Sequence, residues 1–182
     1  MTGIDDHGAS RRRALRLGLV GLAGLLAPPR SAAAADARSL ALRSLHTGEF
    51  VRATYWAAGR YVRDGLMEID RLLRDHRSNT VQPIDRRLLD VLAALRDRLE
   101  TREAFVVISG YRSPATNARL VATTRGVAST SLHVAGMAVD LRVPGRPLTA
   151  VRDAAKALRA GGVGFYPASN FVHVDVGRVR YW

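Results

Sequence analysis

Two short stretches of the sequence place a histidine close to an aspartate. In the first, Asp140 follows His133 by seven residues, and Gly136 lies between them. In the second, a single valine separates His173 from Asp175. Imidazole nitrogens and carboxylate oxygens are good zinc ligands, and two histidines with one carboxylate leave a fourth coordination position open for water. The two stretches together therefore predict a catalytic rather than a structural zinc site.

The local pattern also predicts how these side chains are presented. Small residues between His133 and Asp140 allow the chain to fold back, so we expect the histidine in a loop and the aspartate on the following strand, Met137–Val143. In the stretch Phe171–Val176, successive side chains alternate between the two faces of a strand, so His173 and the aspartate after it share one face while the valines point into the core. A loop and two strands are therefore expected to build the site.

The remaining pattern predicts an α+β domain. The segments Arg43–Ala57 and Arg60–Val62, joined by Ala58-Gly59, have the composition of a β-hairpin. Apolar residues at helical spacing, together with the start signals at Asp85 and Ser113-Pro114, predict four helices. The helices are expected at residues 64–74, 86–99, 113–121 and 148–160, and further strands at residues 105–108, 137–143, 163–166 and 171–176. Together these elements form a small, mostly antiparallel sheet with flanking helices.

The amino-acid composition excludes several classes of protein and of site. The chain has 182 residues and is 47% hydrophobic, which suits one domain and excludes a disordered chain. It has no cysteine, which excludes disulfides, thiolate zinc sites, iron–sulfur clusters and a cysteine nucleophile. The formal net charge of +12 suits nucleic acid, but equally an anionic cell-envelope polymer or a membrane surface.

Residues 1–35 have the organisation of a secretory signal peptide. Arg11–Arg13 precede the apolar stretch Leu17–Ala27, and a run of small residues follows. The arginines resemble a twin-arginine export signal, although an alanine stands where that pattern usually has phenylalanine. The apolar stretch is short for a membrane crossing, so no stable span is expected after cleavage behind Ala35. We therefore expect a periplasmic protein, and this location counts against a nucleic-acid partner.

A longer motif, Ser131-x-His133-x-x-Gly136-x-Ala138-x-Asp140, resembles the signature of the zinc D-Ala-D-Ala peptidases, which share the LAS-type metallopeptidase fold with the hedgehog signalling domain. From Leu45 to Trp182 the chain is similar to one branch of that group, the YcbK-like murein endopeptidases. Further matching segments are Arg74–Arg77, Ile108–Ser113, Gly161–Pro167 and Ser169–Asp175. The resemblance implies a single zinc peptidase domain over residues 36–182, with one Zn²⁺ ion held by His133, Asp140 and His173.

The resemblance also implies a role for Arg112. In the matching segment of the relatives, this arginine faces the metal and supports negative charge on the tetrahedral intermediate, a task that suits a planar, always-charged donor. Many relatives have a general base two or three residues before the last zinc histidine, but this sequence has Asn170 and Phe171 there. Asp175 is the nearest ionisable residue. It can act as the base or as the partner that orients a ligand histidine, and the sequence leaves both roles open.

These observations favour one function over three others. The favoured function is a zinc-dependent murein endopeptidase that hydrolyses peptide cross-links in the bacterial cell wall. The alternatives are a D,D- or L,D-carboxypeptidase that trims stem peptides, a non-catalytic zinc-stabilised module that binds the cell wall, and a nucleic-acid binder, which the export signal disfavours. The sequence leaves open which bond is cleaved and the oligomeric state.

Overall fold

The computed structural model describes residues 36–124 and 128–182, so the predicted signal peptide lies outside the described residues. The described strands are β1 (Arg38–Ser44), β2 (Phe50–Ala57), β3 (Arg60–Tyr61), β4 (Phe105–Ser109), β5 (Ala138–Arg142), β6 (Gly162–Tyr166), β7 (Phe171–Asp175) and β8 (Arg180–Tyr181). The described helices are α1 (Arg63–Leu72), α2 (Arg86–Arg98), α3 (Pro114–Thr123) and α4 (Leu148–Leu158), and a 3-10 turn spans Pro167–Ser169. None of the helices in these residues combines the length and the hydropathy that a membrane crossing requires.

The strands form one sheet in the order β3-β2-β1-β4-β5-β7-β6-β8. Neighbouring strands run antiparallel, except that β1 pairs with β4 and β6 with β8 in parallel. Helices α1, α2 and α4 pack on the sheet. The expected α+β class with a mostly antiparallel sheet is therefore confirmed.

The prediction for the first hairpin is wrong in one respect. The segment Arg43–Ala57 is not a single strand, because the chain turns between β1 and β2, and these two strands pair antiparallel. Gly48 in this turn has a φ of 72°, a conformation that glycine adopts without steric cost. The β-forming residues on both sides of the turn concealed it in the sequence pattern.

The hydrophobic core lies between one face of the sheet and the three helices α1, α2 and α4. Asp85 caps α2 by accepting a hydrogen bond from the amide of Arg87 (2.9 Å), as the sequence predicted. Helix α2 contacts β1 and α4, and α4 contacts β6 and β7. The buried residues of α2 and of the central strands include Leu88, Leu89, Leu92, Leu95, Val139, Leu141, Val172 and Val174. Because side chains alternate along a strand, Asp140 and His173 point to the other face of the sheet.

The register of the central strands places the site. Asp140 on β5 pairs with Ser109 on β4 and with His173 on β7, and His173 in turn pairs with Gly164 on β6. Residues paired across neighbouring strands share a face and have closely spaced Cβ atoms. One row across four strands therefore carries two of the three candidate metal ligands.

Candidate metal centre

A tight loop delivers the third candidate ligand, His133. Gly136 in this loop has a φ of 68°, and a Cβ at this position would come within 2.7 Å of the carbonyl oxygen of Pro83. The position therefore favours glycine both for its backbone conformation and for the close approach of another segment. The amide of Gly136 donates to the carbonyl of His133 (3.2 Å), which closes the loop. The chain folds back here as the sequence analysis expected, and His133 reaches Asp140.

The structure brings His133, Asp140 and His173 together. Nε2 of His133 lies 3.3 Å from Oδ2 of Asp140, and Nδ1 of His173 lies 2.9 Å from Oδ1 of the same carboxylate. The two imidazole nitrogens are 3.3 Å apart. All three residues are buried, and their ligand atoms lie within 4.8 Å of one another. Within residues 36–124 and 128–182, these three side chains form the group of histidine and acidic residues whose ligand atoms lie close enough together to hold a metal ion.

The outer nitrogen of each histidine is already occupied. Nδ1 of His133 lies 2.7 Å from the carbonyl oxygen of Gly110, which can only accept, so Nδ1 carries the proton. Nε2 of His173 lies 3.1 Å from Oδ2 of Asp175, a carboxylate that accepts in the same way. The other nitrogen of each ring is thereby turned towards Asp140 with its lone pair available. This is the arrangement in which metal-binding histidines are held by their outer partners.

The electrostatics of the group also favour a cation. Burial acts to raise the pKa of Asp140, but His133 and His173 outweigh it and hold that pKa well below the usual range. Burial acts to lower the pKa of His173, but its bonds to Asp140 and Asp175 outweigh burial and raise it. The same carboxylates that stabilise a proton on His173 would stabilise a divalent cation between the ligand atoms. The donor set, with two imidazoles and one ionised carboxylate, therefore fits a zinc ion.

Asp175 lies behind His173, on the side away from Asp140. It is 1% exposed, and Oδ1 accepts hydrogen bonds from the amides of Gly162 (2.9 Å) and Gly177 (2.8 Å). Arg180 donates to both carboxylate oxygens (2.8 and 3.2 Å). Every direction around the carboxylate is therefore taken by a donor. Of the two roles left open by the sequence, this geometry favours the one in which Asp175 orients His173.

Arg112 lies on the opposite side of the group. Its guanidinium is 3.9 Å from the carboxylate of Asp140, and it donates to the side chains of Asn117 (3.1 Å) and Ser109 (3.4 Å). Its Nε is the one buried side-chain polar atom in the described chain without a hydrogen-bond partner. Burial lowers the pKa of Arg112, although an arginine stays charged at neutral pH. The site therefore has a cationic donor next to the candidate ligands.

The loop that carries Arg112 is anchored to a buried carboxylate. Both the amide and the hydroxyl of Ser113 donate to Oδ2 of Asp75, at 3.0 and 2.7 Å. The amide of Arg112 itself donates to the carbonyl of His133 (3.2 Å). Asp75 thus holds the segment that supplies Arg112 and, through Gly110, the hydrogen bond that orients His133.

A cavity of 430 Å³ opens onto the three candidate ligands. Phe171 lines it and Asn170 adjoins it in the left-handed conformation (φ 55°), so neither of these positions supplies an ionisable group. Among the lining residues that the structure describes, the titratable side chains are those of Arg112, His133, Asp140, Tyr166, His173 and Arg180. A larger groove of 690 Å³ lies elsewhere, by Arg96 and Glu100, and contains none of the candidate ligands. Size alone therefore does not locate the site.

Sequence reasoning missed two contributors to this cavity, Arg180 and Trp182. Arg180 belongs to β8, which has only two residues and too short a pattern to be recognised as a strand. The ring of Trp182 lies 5.3 Å from that of His173, between ring centroids. No signal in the sequence indicated this contact, because it depends on the parallel pairing of β8 with β6.

Comparisons with known proteins agree with this geometry. The family model for peptidoglycan L,D-endopeptidase MepK matches residues 32–182. The peptidoglycan L,D-endopeptidase MepK of Escherichia coli (strain K12) is 42% identical over 182 residues, which cover 98% of this chain and 100% of that protein. The probable peptidoglycan L,D-endopeptidase MepK of Haemophilus influenzae is 42% identical over 146 residues, 80% of this chain and 78% of that protein. This chain therefore belongs to the peptidoglycan L,D-endopeptidase MepK family, the murein endopeptidase branch that the sequence motifs resemble.

Proposed function

We propose that this chain is a zinc-dependent murein endopeptidase that hydrolyses peptide cross-links in the peptidoglycan of the bacterial cell wall. The observation that carries the proposal is the meeting of His133, Asp140 and His173 at the base of an open cavity. The relatives are named for cleavage of L,D bonds, and we assign the same bond class to this chain. Membership of the family supports the bond class, and the donor chemistry of the site independently supports a metal-dependent hydrolase.

The three candidate ligands would hold a single zinc ion. Zinc in such a site supplies a water of lowered pKa and Lewis-acid polarisation of the scissile carbonyl. Asp175 keeps the proton of His173 on Nε2, and Gly110 keeps that of His133 on Nδ1, so both inner nitrogens remain free to coordinate. These outer contacts are made by the protein alone and preorganise the site.

Arg112 stabilises the charge that develops on the carbonyl oxygen during hydrolysis. Its guanidinium is fixed by Asn117 and Ser109 and lies beside Asp140, so it needs little reorganisation when the oxygen becomes negative. Preorganised donors of this kind account for much of the rate enhancement in acyl-transfer enzymes.

The chain's organisation fits export. We assign residues 36–182 to the peptidase domain and residues 1–35 to a twin-arginine-type signal peptide that directs it to the periplasm. The family match begins at residue 32, close to the expected cleavage site at Ala35. Without residues 1–35, which contain five arginines and two aspartates, the protein keeps a formal net charge of +9, which would also draw it to an anionic envelope polymer.

One observation favours a second candidate function, a zinc-stabilised module that binds the cell wall without cleaving it. Asn170 and Phe171 stand at the positions where many relatives have a general base. The carboxylate of Asp175 is hydrogen-bonded to the outer nitrogen of His173, so it does not replace that base. Such a module would bind metal and peptidoglycan, and it would release no peptides. A carboxypeptidase would instead release single amino acids from stem peptides.

Digestion of purified peptidoglycan, with the products identified by mass, distinguishes these functions. We expect cross-linked dimers to become monomers, activity to disappear with a chelator, and zinc to restore it. His133→Ala and His173→Ala should lose both bound zinc and cleavage, whereas Arg112→Ala should keep the metal and lose most turnover. His46→Ala is the matched control, because His46 stacks on His76 outside the cavity. Full cleavage by either ligand variant would refute the proposed mechanism.

A further inference from the structure

Trp182 forms one wall of the cavity beside the candidate metal centre. Its ring is inclined at 48° to that of His173, with 5.3 Å between the ring centroids. The residue is 49% exposed, although indole is one of the largest apolar groups a protein can bury. Binding sites for small ligands are concave and lined mostly by such apolar and aromatic surfaces. Trp182 also borders a second pocket by Phe165 and Tyr181, so part of its exposed indole surface is available to a ligand in the cavity.

The sheet makes room for this ring. Gly164 is paired with His173 on the neighbouring strand, and a Cβ at Gly164 would come within 2.7 to 2.8 Å of three atoms of the indole of Trp182. A side chain at residue 164 would therefore displace the ring. Trp182 is held against β6 by two backbone hydrogen bonds, to Val163 (3.2 Å) and from Phe165 (2.9 Å). Trp182 thus extends the row of Asp140 and His173 across the sheet.

Neighbouring side chains hold the indole in one orientation. Its N–H donates to the hydroxyl of Tyr166 (2.7 Å), and the ring of Tyr166 stacks on that of Phe171 with centroids 4.6 Å apart. The guanidinium of Arg180 lies 4.8 Å from the centre of the Trp182 ring. A side chain that is already ordered loses little conformational entropy when a ligand packs on it.

We propose that Trp182 contacts the substrate, and that its exposed indole packs on an aliphatic side chain of the stem-peptide residue next to the scissile bond. This inference rests on the proposed function. One residue of extended chain covers at most about 3.6 Å, so a ring at 5.3 Å from His173 faces the peptide within about two residues of the reacting carbonyl rather than the more distant glycan. The apolar indole surface suits methyl and methylene groups better than charged ones.

Steady-state kinetics on a sugar-free, L,D-cross-linked stem-peptide dimer test this role. We expect Trp182→Ala to raise KM about tenfold, the scale of one lost apolar contact in a specificity pocket, with kcat and zinc content close to those of the wild type. Trp182→Phe should recover most of the loss, because an aromatic surface remains. Trp56→Phe is the matched control, since Trp56 packs edge-on against Tyr61 far along the sheet and does not line the cavity.

Three outcomes would overturn the inference. An unchanged KM in Trp182→Ala would mean that the indole does not contact the substrate. A loss of zinc, or a fall in kcat with KM unchanged, would mean that Trp182 only supports His173. All three results would leave the proposed function intact, because the wild type would still cleave the dimer.

Fluorescence gives a second measurement that does not depend on turnover. Trp56 and Trp182 are the two tryptophans of the chain, so Trp56→Phe leaves Trp182 as the only indole emitter. Mixing the zinc-loaded Trp56→Phe protein with the dimer should produce a saturable blue shift before the first turnover, whereas Trp182→Phe should show none. Absence of the shift in Trp56→Phe would overturn the inference. If the wild type cleaves no peptide, the proposed function has failed, and this titration alone decides whether Trp182 binds one.

Discussion

Asp175→Asn is expected to weaken zinc binding although the substitution is nearly isosteric and lies outside the ligand set. The carboxylate receives donors only: His173 and Arg180 at Oδ2, and Gly162, Gly177 and Arg180 at Oδ1. An asparagine must present its NH₂ group to one of these sets. If the NH₂ faces His173, two donors oppose each other, and the imidazole is relieved only by moving its proton to Nδ1. That proton then occupies the nitrogen that faces Asp140.

The size of the effect follows from these contacts. Loss of an outer partner of a ligand histidine typically costs 10- to 100-fold in metal affinity, which corresponds to about 1.4 to 2.8 kcal/mol. Hydrogen bonds to a buried charged group contribute about 1.5 to 3 kcal/mol to stability, so the metal-free variant should unfold about 5 to 10 °C below the wild type. The partly exposed Arg180 can turn to water and reduces this loss.

Competition with a chelator of known affinity measures the first quantity, and thermal unfolding of the metal-free protein measures the second. Asp153→Asn is the matched control, because Asp153 forms only an exposed ion pair with Arg152 on α4. If Asp175→Asn binds zinc as tightly as this control does, Asp175 does not orient His173. The hydrogen-bond argument for the site would then be refuted.

Three further predictions concern the surroundings of the site. Arg112→Lys keeps the charge but loses the planar guanidinium that Asn117 and Ser109 hold in place. The kcat should therefore fall about 100-fold, while bound zinc, measured by elemental analysis, is unchanged. Equal turnover would remove Arg112 from the mechanism. Burial acts to raise the pKa of Asp75, but hydrogen bonds from Thr116, Ser113 and Arg77 outweigh it and hold that pKa well below the usual range, so its ionised form stabilises the fold. Asp75→Asn should therefore lower the free energy of unfolding by about 2 kcal/mol at pH 7. Denaturant titrations should show this difference shrinking as the pH falls below about 4, the pKa of an unfolded aspartate. A difference independent of pH would contradict this account. Gly136→Ala should destabilise more than Gly145→Ala, because both have positive φ (68° and 71°) but only the first Cβ meets a backbone oxygen; equal melting temperatures would show that the loop moves aside.

Local spacing was sufficient to single out the two stretches that carry the candidate ligands, and the resemblance to the zinc D-Ala-D-Ala peptidases selected the three residues within them. A glycine between His133 and Asp140 indicates a reversal of the chain, and alternation around His173 indicates a strand, so both segments could be placed without knowledge of the fold. The helices could be predicted in the same way, because the cap at Asp85 and the spacing of the leucines in α2 follow rules that extend over only a few residues. These features depend on near neighbours in the chain.

The role of Asp175 could not be read from the sequence for the opposite reason. Its partners come from the start of β6, from the turn after β7 and from β8, and the pairing of β8 with β6 is parallel and only two residues long. The turn at Gly48 was concealed in a similar way, because β-forming residues continue on both sides of it. In both cases a short element is defined by the strand that it pairs with rather than by its own composition.

The two halves of the candidate site differ in how firmly the fold holds them. Asp140 and His173 are neighbours in the ladder between β5 and β7, so the sheet itself sets their separation. His133 lies on a loop that is held by Gly110 and Arg112, and both of these belong to the segment anchored by Asp75. A metal ion at this position would therefore tie the loop to the sheet and bring Arg112 with it, which couples formation of the metal site to placement of the donor for the substrate carbonyl.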